Sequence, residues 1–260
     1  MMNTIRDELN NALQEFNRLG IAEQFDFQKL YLYSIITHST AIEGSTVTEI
    51  ENKLMFDEGI VPGGHNVTEQ MMNLDLKRAY DYVNGLLAKN IPITVDFLKK
   101  LSALVMRNTG SSYTTALGSF DSSAGDLRLV NVSAGRGGKS YLNYQKVPQR
   151  LEDFCTWLND ERKKTFTDDA GVYALSFEAH YRLVSIHPWV DGNGRTCRLL
   201  MNMIQMEKGL LPSILKKENK AKYIEALAVS QDSEDSKVFV DFMMESMVEF
   251  IRQSIEEFKA

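Results

Sequence analysis

The sequence predicts a mainly α-helical fold, one compact helical bundle with a single β-hairpin. Two observations carry this expectation. Apolar residues recur at three- and four-residue spacing through most of the 260 residues. One stretch, 109–148, breaks that rhythm with Gly, Ser and short β-like runs. A third, negative observation keeps the chain in one piece: the sequence carries neither an internal repeat nor a low-complexity linker.

The elements follow in order. Ile5, Leu9, Leu13 and Phe16 form one apolar stripe, and Leu30, Tyr33 and Ile36 form the next. TVTEIENKLMFDEG (46–59) opens on Thr and acids and closes on Gly, the punctuation of a capped helix. VPGGHN (61–66) reads as a loop, followed by amphipathic helices in EQMMNLDLKRAYDYVNGLL (69–87) and TVDFLKKLSALVMRN (94–108). In the middle stretch LRLVNV and KSYLNY flank SAGRGG, which predicts a hairpin or flap over about 127–144. Helical pattern resumes in QRLEDFCTWLNDERKK and DDAGVYALSFEAHYRLVSI. A further helix ends near Gly209 with Pro212 beyond it, and two more fill the tail.

Composition bounds the function. Apolar residues make up 43% and charged residues 25%, as in ordinary globular chains. The net charge of −6 supplies no positive field for nonspecific DNA or RNA binding. Cys155 and Cys197 match no metal-ligand spacing and make no disulfide framework, which favours a reducing compartment. The opening MMNTIRDELNNALQEF carries charges within its apolar period rather than a signal peptide's apolar core. No stretch approaches the ~20 apolar residues of a membrane span. The expected setting is cytoplasmic, with neither DNA nor membrane as partner.

Chemistry concentrates in HPWVDGNGRTCR, residues 187–198. Gly192 and Gly194 permit positive φ and close backbone approach around Asn193. The residues after them have a helical apolar stripe at Leu199, Leu200, Met203 and Ile204, so the turn sits at a helix N-terminus, a ready anion site. Arg195 and Arg198, three apart, share a face, and two guanidinium forks suit a polyphosphate. Asp191 beside such a site suits Mg²⁺ carried on phosphate oxygens. A neutral His187, held by Pro188, suits a general base for a hydroxyl nucleophile. Taken singly, such a His is most often structural, a Gly-Asn-Gly a turn, and an R-x-x-R solvated surface. Their order and density weigh against coincidence.

The stretch resembles the signature of the Fic (filamentation induced by cAMP) domain, H-P-F-x-D/E-G-N-G-R-x-x-R, departing only at Trp189 where Phe is usual. The resemblance extends more loosely from about Met71 through the tail. It implies transfer of AMP from ATP to a Ser, Thr or Tyr hydroxyl of a target protein, the chain itself included, with release of pyrophosphate. It implies His187 as the base, Asp191 as the Mg²⁺ ligand, and Asn193 with the backbones of Gly192 and Gly194 as phosphate holders. Arg195 would meet the distal phosphates and Arg198 the γ-phosphate.

STAIEGS (39–45) is by itself an ordinary helix end. Within the resemblance it is similar to the inhibitory-helix motif S/T-x-x-x-E-G/N, with Ser39, Glu43 and Gly44 in place. That implies autoinhibition by Glu43 acting on Arg198. A helical region at 1–65 would then carry the brake, and 66–260 the catalytic core. The Fic hairpin lines the target site, which assigns the flap to Gly135, Arg136, Gly137, Gly138 and Lys139; a flap edge can take up a target as an added strand. SAGRGGKS mimics a P-loop but lacks its first Gly, and a strand-like run follows instead of a helix. DGNG fails as a Ca²⁺ loop because Arg195 stands where an oxygen ligand is needed. The rival readings are a de-AMPylase or bifunctional enzyme, and a catalytically idle nucleotide-binding module. A homodimer is compatible with the sequence.

Overall fold

The computed structural model describes residues 4–134 and 140–260. Ten α-helices and one two-stranded antiparallel sheet are formed among them. They are α1 (Ile5–Arg18), α2 (Phe27–Ile42), α3 (Glu49–Asp57), α4 (Val67–Asn84), α5 (Val95–Val105), β1 (Ser112–Thr115), β2 (Gly118–Asp121), α6 (Val147–Arg162), α7 (Asp169–Ile186), α8 (Asn193–Glu207), α9 (Lys220–Ser233) and α10 (Lys237–Lys259). No helix among the described residues is long and apolar enough to cross a membrane.

Local chemistry starts most of the early helices. Thr4 and Asp7 form a capping box on α1, and Thr48 and Glu51 form another on α3. Asn66, Thr94 and Asp168 each accept a hydrogen bond from the first turn of α4, α5 and α7. α8 differs: its N-cap is Gly192, with no side chain to accept from the first-turn N–H groups.

α8 is the centre of the molecule. It packs along α7 and also meets α2, α4 and α5. Its apolar residues Cys197, Leu199, Leu200, Met201, Met203 and Ile204 are buried in one continuous core. So are its polar residues Arg195, Arg198, Asn202 and Gln205, spaced at three and four. Each of the last three finds partners on other elements. Asn202 Nδ2 donates to Tyr80 Oη at 2.8 Å. Gln205 Nε2 donates to Ser176 Oγ at 2.8 Å, and its Oε1 accepts from Ser213 N at 2.7 Å. At the far end of α8, a buried ion pair joins Arg162 to Glu207 at 2.7 Å.

The hairpin differs from the sequence expectation in place. The regular strands pair Ser112 with Asp121 and Thr115 with Gly118, upstream of the predicted 127–144. Among the described residues the pairing there is an antiparallel bridge between Ser133 and Ser140, with Tyr141 N donating to Val132 O at 3.0 Å. LRLVNV alternates like a strand, but Arg128 turns inward and takes its carbonyl partners from three separate segments. The predicted flap tip, Gly135, Arg136, Gly137, Gly138 and Lys139, lies outside the described residues.

A buried polar knot fixes the C-terminal end of α2. Asn73 Oδ1, on α4, accepts from Thr40 Oγ1 and from Asn52 Nδ2, both at 2.9 Å. Asn73 Nδ2 donates to Ser45 Oγ at 3.0 Å, and Asn52 Nδ2 also reaches Thr37 Oγ1 at 2.7 Å. Asn73 and Asn52 are fully buried, so each lost partner leaves a dry polar group. Asn73→Leu is expected to cost about 2 kcal/mol or more. It would be read as a lower urea midpoint at unchanged slope.

Candidate active site

α7 delivers His187 and α8 receives the turn that follows it. His187 caps α7 in the left-handed region, φ 51, which is costly for a residue with a Cβ. Its conformation is held at both ends. His187 N donates to Leu183 O at 3.1 Å, and His187 O accepts from Arg128 Nε at 2.7 Å. The ring stacks on Tyr141 at 3.7 Å between centroids and 14° between planes. Its Nδ1 is sealed inside with no well-aligned partner, so the ring meets the outside along its other edge. Burial pushes its pKa down to about 4, with Arg128 adding to the effect; the nearby Val184 carbonyl and the charges of Asp191 and Glu43 work the other way. The neutral ring is therefore the form present at neutral pH.

Trp189 is wholly buried and anchors the turn through Nε1, which donates to Gly125 O at 3.1 Å. An indole here fills the aromatic position and adds a hydrogen bond that Phe lacks. Asn193 spends both ends of its amide on Trp189: Oδ1 accepts from Trp189 N at 3.1 Å and Nδ2 donates to Trp189 O at 2.9 Å. The amide thus shapes the loop at the start of α8, with one N–H and one lone pair of the side chain still to spend.

Gly192 at φ 78 opens α8, and a Cβ there would stand 2.6 Å from Met106 Sδ. At Gly194 a Cβ would stand 2.5 Å from Glu43 Oε1 and 2.9 Å from Arg198 Nη1. The second glycine is thus the floor on which a carboxylate rests, over an uncapped helix N-terminus.

That carboxylate comes from α2. Ser39 and Glu43 are one turn apart at its end and face α8 together. Arg198, 3% exposed, donates from Nε to Ser39 Oγ at 2.8 Å, and from Nη2 to Ser39 O at 2.9 Å and to Glu43 Oε1 at 2.6 Å. Glu43 keeps 32% of its side chain open. Burial pushes its pKa up, but Arg198 outweighs that and holds it below the usual carboxylate value. Arg195, 2% exposed, is less well served: Nη2 meets Met106 Sδ at 3.1 Å and Asp191 Oδ1 only at 3.8 Å. Arg195 Nε and Arg198 Nη1 are buried without a well-aligned acceptor among the described residues. Buried donors in that state suit a site whose acceptors arrive with a ligand.

Asp191 is 62% exposed, and its Oδ1 accepts from Gly192 N at 2.6 Å. Among the described residues no three His, Cys, Asp or Glu gather as a metal cage. One exposed carboxylate fits an ion carried in on phosphate oxygens rather than a resident metal.

The structure brings His187, Asp191, Gly192, Asn193, Gly194, Arg195, Arg198, Ser39 and Glu43 into one place. Sequence reasoning missed Arg128, Tyr141 and Met106, which line the site from 59, 46 and 81 positions or more before His187. Only a lone Arg inside an apolar run marked the first of them.

Residues 92–205 match the Fic/DOC family. The chain is 32% identical over 228 residues to the protein adenylyltransferase fic-1 of Caenorhabditis elegans, covering 87% of this chain and 41% of that protein. It is 32% identical over 217 residues to the protein adenylyltransferase Fic of Drosophila melanogaster, covering 84% and 39%. It thus spans about two-fifths of the length of these relatives. Among solved structures, Fic-1 of C. elegans superposes with a TM-score of 0.77 at 27% identity, covering 98% of this chain and 73% of the other. A Fic domain containing signaling protein of Bacteroides thetaiotaomicron superposes with a TM-score of 0.76 at 19% identity over 97% of both, a likeness of fold. Signature, fold and relatives agree: this chain carries a Fic/DOC family domain, matched over residues 92–205.

Proposed function

We propose that the chain is an autoinhibited protein adenylyltransferase, moving AMP from ATP to a Ser, Thr or Tyr hydroxyl of a target protein. The observation that carries the reading is the Glu43 carboxylate seated on Gly194 against Arg198, at the helix N-terminus where a polyphosphate would bind. The relatives' names support the reaction. The stacked, neutral His187 supports the base.

In this mechanism the acceptor hydroxyl attacks the α-phosphorus, its proton passes to His187, and pyrophosphate leaves. The N–H groups at the start of α8 and the guanidinium of Arg195 hold the charge of the departing phosphates. Asp191 would hold Mg²⁺ against the phosphates, where the ion supplies charge neutralisation and alignment. With Glu43 in place, Arg198 is already engaged and a second negative charge occupies the anion site. ATP is then held in a nonproductive pose. In domain terms, 1–65 acts as the brake and 66–260 as the catalytic core. Two buried free cysteines and a net acidic charge support a reducing, cytoplasmic setting.

The first test incubates wild type, Glu43→Gly and Glu43→Gly/His187→Ala with ATP and Mg²⁺ and weighs the intact chains. Glu43→Gly is expected to gain one AMP mass, with labelling roughly 5–150-fold faster than wild type, the usual range of a coupling between two sites, and the double variant is expected to gain none. No gain in any of the three would sink the transferase reading in favour of AMP removal or an idle module.

The second test is a pH profile of the released variant. Neutral His187 is the working form, so activity is lost as pH falls through the base's pKa. With that pKa pushed down from 6.5 to about 4, the rate should stay level as pH falls past 6.5. An acid limb centred at the ordinary imidazole value would mean the ring is solvated in the working state.

A further inference from the structure

Outside the signature, Arg128 is a buried charge that the site chemistry leaves unexplained. It is 1% exposed and has no carboxylate partner among the described residues. Its donors go instead to main-chain carbonyls. Nε donates to His187 O at 2.7 Å, Nη1 to Val130 O at 2.7 Å, and Nη2 to Leu142 O. Its own backbone N donates to Pro188 O at 3.1 Å. One side chain therefore joins three segments: the turn bearing His187, the strand-like run at 130, and the run that follows the flap tip. Leu142 is next to Tyr141, whose ring lies on the His187 imidazole.

This arrangement has a cost that packing alone would not demand. A buried guanidinium loses much of its hydration, and burial does pull its pKa down. An apolar side chain of like volume would avoid that loss. What only a planar fork supplies is fixed direction to several acceptors at once. The acceptors chosen are the carbonyl of a residue in a strained left-handed conformation and the carbonyl beside the ring stacked on it.

We propose that Arg128 is a positioning residue for the transfer, locking the His187 backbone and the Tyr141-bearing run into one rigid unit so that the imidazole edge keeps its aim. It works through His187 and touches no reacting atom itself. The proposal rests on the adenylyltransferase reading for its rate consequence, though not for its geometry. Lys at this position keeps the charge and a donor but loses the fork. Met keeps the volume and loses both.

The test places Arg128→Lys and Arg128→Met in the Glu43→Gly chain and compares three quantities. These are self-labelling by ATP and Mg²⁺, ATP dissociation constant by calorimetry, and the rate at which diethyl pyrocarbonate acylates His187, located by peptide mass. The expected result is a labelling rate at least tenfold lower in Met and partly restored in Lys, with ATP affinity within threefold of the parent. His187 acylation should rise several-fold in Met, because Tyr141 no longer stays stacked over the ring. Labelling and acylation both within twofold of the parent in Met would overturn the proposal, as would a loss of ATP affinity parallel to the loss of rate. If Met does not fold, Lys alone decides: labelling within twofold of the parent overturns the proposal, and a fall with ATP affinity kept supports it. A parent that takes no label while acylation still rises in the variants would sink the transferase reading and leave the clamp standing.

Discussion

A guanidinium removed from water must be ringed by acceptors, and in this protein that requirement falls on Arg198. Its position is fixed by α8, which is buried along nearly its whole length. Acceptors must therefore come to it. They come from the end of α2, where a helix runs out of internal partners and leaves carbonyls such as that of Ser39 free. The negative end of one helix meets the positive start of another, with Glu43 and Arg198 as the charged tips. The polar knot around Asn73 then holds α2 at that angle. The ion pair, the end of α2 and the core around α8 are solutions to one desolvation problem.

The two arginines of the signature carry different burdens. Arg198 is satisfied by the protein on two of its three nitrogens. Arg195 is left with a carbonyl at 3.4 Å, a sulfur and a distant carboxylate, and burial pulls its pKa down. Such incompletely served groups are expensive in a core and are tolerated where a ligand completes them. The same logic distinguishes Asn193, whose amide oxygen and nitrogen each find a partner within their own loop.

Much of this was legible in the sequence, for physical reasons that can be named. Helix starts were written locally, as in Thr4 with Asp7 and Thr48 with Glu51, because capping is a contact between residues three apart. The signature was legible because a glycine turn, a helix start and two arginines are consecutive. The regular strands at 112–121 were missed, and LRLVNV was taken for one, because alternation looks the same whether an inward residue packs on a sheet or, like Arg128, reaches across to a turn 59 positions away. Tyr141 over His187 and Met106 under Gly192 are likewise meetings of distant segments, and no local pattern announces them. The Glu43–Arg198 pair, 155 positions apart, became readable only through the family motif.

Because Glu43 and Arg198 belong to one chain, their encounter has an effective concentration set by geometry and not by how much protein is present. Dilution leaves that ion pair intact, and so does a rise in protein concentration. What weakens it is a change in how firmly the end of α2 is held, and the knot that holds it runs through Asn52 on α3 and Asn73 on α4. The stability of the pair is then set from behind α2 as much as at the two charges themselves.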